Sequence, residues 1–119
     1  MKVHVRSLDK ISVIDGTGDV DLYSSPILRD ALLAEIKADG PSVLVNMSGV
    51  TYIDSSGIAT LVEGLQLSRQ TKTRFGLFGL RPNARSVLEL ARLNKVFVIF
   101  ENEVEALEKI GTVQPFAGV

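Results

Sequence analysis

Residues 43–65, VLVNMSGVTYIDSSGIATLVEGL, decide the fold of this chain. The stretch opens with short, apolar, β-branched residues, which predict a buried strand ending near Met47, followed by a loop, SGVTY. It closes with apolar residues at the spacing of one helix face: Ile58, Leu61, Val62 and Leu65. Between the two elements stand four small or polar residues: Asp54, Ser55, Ser56 and Gly57.

The segments before this stretch predict a hairpin and a first helix. The runs VHVRS and ISVIDG alternate apolar and polar residues, and Asp9-Lys10 is a natural turn between them. We expect the following GTGDVDLYSS to be a loop that leads into a helix capped by Ser24 or Ser25, with Pro26 at its first position. We expect this helix to end before Gly40-Pro41, because glycine and proline terminate helices. Its apolar stripe consists of Ile27, Leu28, Ala31, Leu32 and Ile36.

The segments after it continue the alternation of strands and helices. RFGLFGL predicts a strand that ends at Gly79, and Pro82 begins a third helix. VFVIF predicts another strand, and Asn102 with Glu105 three residues later predicts a capping box for a last helix. The inner faces of these two helices are assigned to Val87, Leu88 and Ala91, and to Leu107 and Ile110.

The resulting order, β-β-α-β-α-β-α-β-α, predicts an α/β fold in which helices cover a sheet. No linker, repeat or low-complexity segment interrupts residues 1–119, so we expect a single domain. The last residues, from about 110 to 119, carry no periodicity, and we expect them to be a loosely ordered tail.

Composition narrows the class of protein. The chain has 45% hydrophobic residues, a net charge of −1 and no cysteine. It therefore lacks the basic footprint of direct nucleic-acid binding, and it can form neither a disulfide framework nor a reactive thiolate. No signal peptide and no membrane-spanning run is present, so we expect a cytoplasmic protein that does not insert into membranes.

The sequence does not support an enzyme. A serine nucleophile needs a base, and the only histidine, His4, stands on the first strand without a paired acid. Ile53 occupies the place where a hydrolase elbow requires glycine. The carboxylates are scattered, no phosphate loop is present, and we expect neither a metal nor a cofactor.

The segment Asp54-Ser55-Ser56-Gly57 allows two interpretations. In the structural one, Ser55 is the N-cap of the second helix and Asp54 adds a favourable negative charge at the helix start. In the functional one, Ser55 lies at the carboxyl end of the sheet, Gly57 lets a partner approach the backbone, and a phosphate on Ser55 is held at the helix start. Such a phosphate changes the surface that a partner meets.

Together with GDVDLYSSPILRDAL and PNARSVLELARLNKVFVIFENEVEAL, these residues resemble the STAS domain in its stand-alone form, the bacterial anti-sigma factor antagonist. Gly18, Val20 and Asp21 fit the family's turn before the first helix, whereas Arg92-Leu93 departs from its usual Gly-Leu. The resemblance implies a mixed sheet with about four helices, packed mainly on one face. It also implies that Ser55 is phosphorylated and that the unphosphorylated form binds an anti-sigma serine kinase, which releases the sigma factor. A serine phosphatase restores that form.

The resemblance implies partner contacts at Asp21, Asp54, Ser56 and Gly57, and the second helix adds Glu63, Gln66 and Gln70 on its polar side. An alternative function is a cytoplasmic accessory subunit of a lipid-transport ABC complex, which would dock through the same helix start without a phosphate cycle. A third is a small-molecule sensor, for example of a nucleotide, which the missing phosphate loop disfavours.

Overall fold

The computed structural model describes residues 1–38 and 40–113. Its elements follow the predicted order, with a 3-10 helix after the last α-helix. The strands are β1 (Lys2–Leu8), β2 (Ile11–Val20), β3 (Ser42–Ile53), β4 (Arg74–Phe78) and β5 (Ile99–Phe100). The helices are α1 (Ser25–Lys37), α2 (Ser55–Thr71), α3 (Pro82–Leu90) and α4 (Glu103–Lys109), and the 3-10 helix is Ile110–Thr112.

The five strands form one mixed sheet in the order β1-β2-β3-β4-β5. β1 pairs antiparallel with β2 through the predicted hairpin, where Asp9 adopts a positive φ of 58°. The other neighbours are parallel, as strand–helix–strand connections require. The α/β prediction is therefore confirmed.

Side chains alternate along the central strands between two apolar clusters, one on each face of the sheet. On β3, Val43 and Val45 point into the larger cluster and Leu44 into the smaller one, and all three are fully buried. Helices α1, α2 and α3 cover the larger cluster, and α4 with the 3-10 helix covers the smaller one. Three of the four helices thus share one face, as the family resemblance implied.

The expected ends of β2 and β3 are wrong, and both errors have one cause. Segments 17–20 and 48–52, predicted as loops, continue the two strands, which pair with each other up to Val20↔Ile53. The register shifts twice along this extension, so the strands approach closely where glycines leave room. A Cβ on Gly49 would lie 2.7 Å from the carbonyl oxygen of Gly16. Glycine in these segments permits a bulged strand pair rather than a loop.

Several smaller expectations are corrected as well. Ile27 was placed on the inner stripe of α1 but is 47% exposed, and Ala91 is exposed just beyond the end of α3. The last strand is confined to Ile99–Phe100, shorter than the predicted VFVIF. Order continues into the expected tail as far as the 3-10 helix, where Ile110 is 1% exposed. Residues 114–119 of that tail lie outside the described residues.

Candidate functional site

The candidate site lies where β2 and β3 end side by side. The backbone N–H of Asp54 donates to the carbonyl oxygen of Val20, at 3.1 Å, and this bond closes the parallel ladder. Asp21 and Asp54 therefore follow the two strand ends at the same edge of the sheet. They are close enough that the charge of Asp21 opposes the ionisation of Asp54. This edge, the carboxyl end of parallel strands, is where open α/β sheets form their sites.

Asp54, and not Ser55, is the N-cap of α2. Its backbone is extended (φ −108°, ψ −170°), and its Oδ1 accepts hydrogen bonds from the backbone N–H groups of Ser56 (2.9 Å) and Gly57 (3.3 Å). The Ser56 hydroxyl donates to the same oxygen at 2.6 Å. This side-chain hydrogen bond, together with the two from the backbone, lowers the pKa of Asp54 below its ordinary value. The structure thus corrects the prediction that Ser55 caps the helix.

The two serines of the segment occupy different environments. Ser56 is half-buried, and its hydroxyl is engaged by Asp54. Ser55 is the first helical residue and is exposed, and its hydroxyl makes no hydrogen bond to any described residue. Ser55 is therefore the hydroxyl of this segment that another protein can reach.

Gly57 is buried and does not form a contact surface for a partner. A Cβ at this position would lie 2.5 Å from Cγ1 of Ile53 and 2.8 Å from Cγ1 of Val20. The missing side chain lets the first turn of α2 rest directly on the ends of β2 and β3. The structure therefore accounts for Gly57 by the packing of α2 on the two strands, rather than by the open approach to the backbone that the sequence predicted.

Asp21 orders the turn before α1. Its Oδ1 accepts from the backbone N–H of Ser24, from the Ser24 hydroxyl and from the backbone N–H of Tyr23, at 2.9–3.0 Å. The bonds from Ser24, and then that from Tyr23, lower the pKa of Asp21. Asp21 is half-buried, and it both shapes the turn and places an ionised carboxylate beside Asp54.

Three exposed apolar side chains, which sequence reasoning did not assign to the site, border it. Leu22 is 68% exposed, Tyr23 90% and Ile27 47%. They belong to the turn after Asp21 and to the first turn of α1, and Asp21 itself lies beside Asp54, the cap of the helix that carries Ser55. The signal in the sequence was the pair Leu22-Tyr23, two large apolar residues inside a segment otherwise typical of a loop. We call Leu22, Tyr23 and Ile27 the apolar rim.

Glu63 lies apart from this cluster, two turns further along α2. It forms a two-point ion pair with Arg29 of α1, with N–O distances of 2.8 and 2.7 Å. The hydrogen bond from Arg29 lowers the pKa of Glu63. Gln66 and Gln70, also predicted to face a partner, line a cleft of about 240 Å³ between the two helices, together with this ion pair. Glu63 therefore links α1 to α2 and is not brought to Ser55.

His4 is exposed on the edge strand β1 and pairs with Asp15 of β2. Because Asp15 precedes the end of β2 at Val20 by five residues, His4 lies away from the edge of the sheet that carries Asp21 and Asp54. Within residues 1–38 and 40–113, no three acidic or histidine side chains converge as metal ligands would. No helix in the same ranges combines the length and apolar character needed to cross a bilayer.

The fold is that of an α/β domain with a mixed five-stranded sheet, and comparison with known families identifies it. The STAS domain model matches residues 2–106. The chain therefore belongs to the STAS domain family.

Relatives with assigned functions cover most of the chain. The anti-sigma-B factor antagonist of Listeria monocytogenes is 26% identical over 105 residues, which are 88% of this chain and 91% of that protein. The protein of the same name from Staphylococcus aureus is 25% identical over 107 residues, which are 88% of this chain and 98% of that protein.

Solved structures share the fold. An anti-sigma factor antagonist from Mycobacterium paratuberculosis superposes with a TM-score of 0.85 at 24% identity, covering 92% of this chain and 93% of that one. The anti-sigma factor antagonist SpoIIAA in its unphosphorylated form gives a TM-score of 0.80 at 17% identity, covering 94% and 98%. At these identities the likeness shows the fold alone.

Proposed function

We propose that this chain is an anti-sigma factor antagonist whose binding to its partner is controlled by phosphorylation of Ser55. In its unphosphorylated form it binds an anti-sigma factor that is also a serine kinase, and the sigma factor is released. The kinase phosphorylates Ser55 and the complex dissociates, until a serine phosphatase removes the phosphate. The protein acts in the cytoplasm as a binding module and carries out no catalysis itself.

One observation carries this proposal: the difference between the two serines. Ser55 offers a free, exposed hydroxyl at the start of α2, whereas the Ser56 hydroxyl is held by Asp54 at 2.6 Å. A kinase must reach the hydroxyl that it modifies, and only Ser55 of the pair is presented in this way. The names of the curated relatives support the same function.

The cap geometry determines how a phosphate on Ser55 would act. The backbone N–H groups of Ser56 and Gly57 already donate to Asp54, so they are not free to hold the phosphate, contrary to the expectation from the sequence. A phosphate brings about −1.5 to −2 charges at pH 7. It would stand beside the ionised carboxylates of Asp21 and Asp54 and project towards the partner.

The change in binding free energy that one phosphate can cause is large enough to release a partner. A change of about 4 kcal/mol in binding free energy alters affinity roughly a thousandfold. Leaving a charge buried and unpaired in an interface costs about 2–5 kcal/mol or more. A single phosphate at the contact can therefore release the partner without any rearrangement of the domain.

The apolar rim supplies the phosphate-independent part of the proposed contact surface. Exposed aromatic and aliphatic side chains next to a regulated polar group are typical of protein interfaces. We expect Tyr23→Ser to weaken partner binding at least about tenfold, since tyrosine is common among the residues that dominate interface energies. Leu90→Ser is the matched control, because Leu90 is 85% exposed at the end of α3. If the two substitutions weakened partner binding equally, the apolar rim would not belong to the partner-binding surface.

The test of the function is affinity capture from the protein's own cells with three baits: wild type, Ser55→Glu and Ser56→Glu. We expect wild type to retain a protein with a serine kinase domain that phosphorylates it on addition of ATP, and Ser55→Glu to lose this protein. Ser56→Glu is the control: it adds a negative charge beside Ser55 but leaves the proposed phosphate acceptor in place, so it measures any loss of binding that a nearby charge causes by itself. Retention of an ABC permease complex from membranes, unaffected by Ser55→Glu, would instead support docking without a phosphate cycle.

A further inference from the structure

We propose that Asn83 is a positioning residue that fixes the loop carrying Ser55 and thereby sets the rate at which Ser55 is phosphorylated. This inference rests on the proposed function for its regulatory part. Asn83 belongs to a different helix, α3, and follows Ser55 by 28 positions in the sequence.

β3 extends beyond the end of its pairing with β4, so its last residues need another hydrogen-bond partner on that side. The pairing between β3 and β4 ends at Asn46↔Phe78, whereas β3 continues to Ile53. On its other side, β3 remains paired with β2 up to Val20↔Ile53. Residues 47–53 of β3 therefore have a strand partner on one side only.

Asn83 takes the place of the missing strand at the position that matters most for Ser55. Its Oδ1 accepts a hydrogen bond from the backbone N–H of Ile53 at 2.9 Å. The next N–H along the chain, that of Asp54, donates in the opposite direction to Val20. The two residues before Ser55 are thus held from both sides, by α3 and by β2.

The anchor is firm at both of its ends. Ile53 is 1% exposed, so water cannot readily replace Asn83 as the acceptor, and an unpaired buried N–H is costly. Asn83 itself follows Pro82 in the first turn of α3, and that helix is fastened to the core by Ala84 and Leu88, which are 2% and 1% exposed.

The position of Ile53 is passed on to the first turn of α2 through Gly57. The Ile53 side chain fills the space in which a Gly57 side chain would stand, with its Cγ1 2.5 Å from the place of a Cβ. A shift of Ile53 therefore moves the turn that presents Ser55. Phosphoryl transfer depends on precise placement of the attacking hydroxyl, and a misplacement of about 1 Å can cost two orders of magnitude in rate.

The experiment compares Asn83→Leu, which keeps the approximate shape but has no acceptor, with Asn83→Asp, which keeps an oxygen acceptor. The first readout is amide hydrogen exchange, resolved by residue, in the folded proteins. We expect Asn83→Leu to raise exchange about tenfold over residues 53–58, as the loss of one hydrogen bond implies, and to leave β1 and α4 unchanged. Asn83→Asp should restore most of the protection.

The second readout is the initial rate of Ser55 phosphorylation in an ATP-supplemented lysate of the protein's own cells, measured by peptide mass spectrometry over a range of substrate concentrations. We expect Asn83→Leu to lower the saturating rate about tenfold with little change in the half-saturating concentration, and Asn83→Asp to recover it. A substitution that only reduced stability would not produce this division.

The outcomes separate the inference from the function on which it rests. Unchanged exchange over residues 53–58, or an equal rise throughout the domain, would overturn the role of Asn83 even if wild-type Ser55 is phosphorylated. Local loss of protection with an unchanged phosphorylation rate would overturn its regulatory part. Wild type that acquires no phosphate under any condition would overturn the proposed function, and exchange would still decide whether Asn83 anchors the loop.

Discussion

Helices α2 and α4 begin alike but use their first residues differently. Each is preceded by an extended residue with a short side chain that accepts from the first turn, Asp54 from Ser56 and Gly57, and Asn102 from Glu105 at 2.9 Å. In α4 the first helical residue, Glu103, is bound by Arg6 of the edge strand β1.

In α2 the equivalent position is Ser55, whose exposed hydroxyl has no partner among the described residues. In both helices the cap residue accepts the hydrogen bonds of the helix start, so the side chain of the residue after it is available for another interaction. In α4 that residue fastens the helix to the sheet. In α2 it is free to be modified.

The largest effect on stability is expected from Gly57→Ala, which attacks the packing below the start of α2. Alanine normally stabilises a helix by up to about 1 kcal/mol relative to glycine. Here the added Cβ would meet three side-chain atoms of Ile53 and Val20 at 2.5–2.9 Å, and overpacking of this kind costs about 1–3 kcal/mol. We therefore expect a net loss in the free energy of unfolding, measured by urea denaturation. Gly111→Ala is the matched control, since no atom of the described residues lies within 4 Å of its Cβ, and it should stay within about 0.5 kcal/mol of wild type.

The two caps should differ in their response to pH. The pKa of Asp54 in the folded protein lies below its ordinary value, chiefly because the Ser56 hydroxyl donates to the ionised form. Its stabilisation is therefore complete above the unfolded pKa and is lost as the pH falls through the folded one, below about pH 4. Asp54→Ala should lower the free energy of unfolding at neutral pH and differ less from wild type in acid.

Asn102→Ala provides the contrast to that experiment, because a neutral cap has no proton to gain. We expect it to cost about 0.5–2 kcal/mol, with no dependence on pH that wild type lacks. Urea denaturation at a series of pH values measures both variants. A deficit of Asp54→Ala that stays constant down to about pH 2 would show that the charge of Asp54 is not what stabilises the start of α2.

A smaller effect is expected from releasing the first residue of α4. Arg6 donates to Asp15 at 2.7 and 2.9 Å and also binds Glu103, and its side chain is 30% exposed. Arg6→Met should therefore cost only about 0.5–1 kcal/mol, because water screens these pairs. Amide exchange should rise in α4 and remain unchanged in α2. A rise at residues 55–58 would mean that the two helix starts are coupled and do not respond independently.

The smallest effect on stability is expected from Ser55→Ala. Since the exposed hydroxyl makes no hydrogen bond to a described residue, the free energy of unfolding should change by less than about 0.5 kcal/mol. Ser56→Ala should lose more, because it removes the hydrogen bond to Asp54. A larger loss from Ser55→Ala than from Ser56→Ala would return Ser55 to the structural role of a cap.

The order of the elements was predictable because periodicity reports burial directly. Leu28, Leu32 and Ile36 of α1, for example, occupy the predicted stripe and are all buried. The ends of β2 and β3 were not predictable, because the segments that contain Gly16, Gly18 and Gly49 have a composition typical of loops. They become strands only because these two distant segments pair with each other.

The site was predictable in its location but not in the division of roles. Both aspartate and serine favour the N-cap position, so the sequence could not decide between Asp54 and Ser55, which depends on the backbone angles after the last strand pair. The buried role of Gly57 and the contribution of Asn83 depend on contacts between elements that no local pattern reports.

Whether Ser55 is the regulated position is best measured by intact and peptide-level mass spectrometry of the protein from its own cells, growing and stressed, beside Ser55→Ala and Ser56→Ala strains. We expect one phosphate, mapped to Ser55, whose amount changes with conditions. It should disappear in the Ser55→Ala strain and persist in the Ser56→Ala strain. A protein that carries no phosphate under either condition, or one modified on Ser56, would contradict the claim that the start of α2 presents Ser55 as the switch.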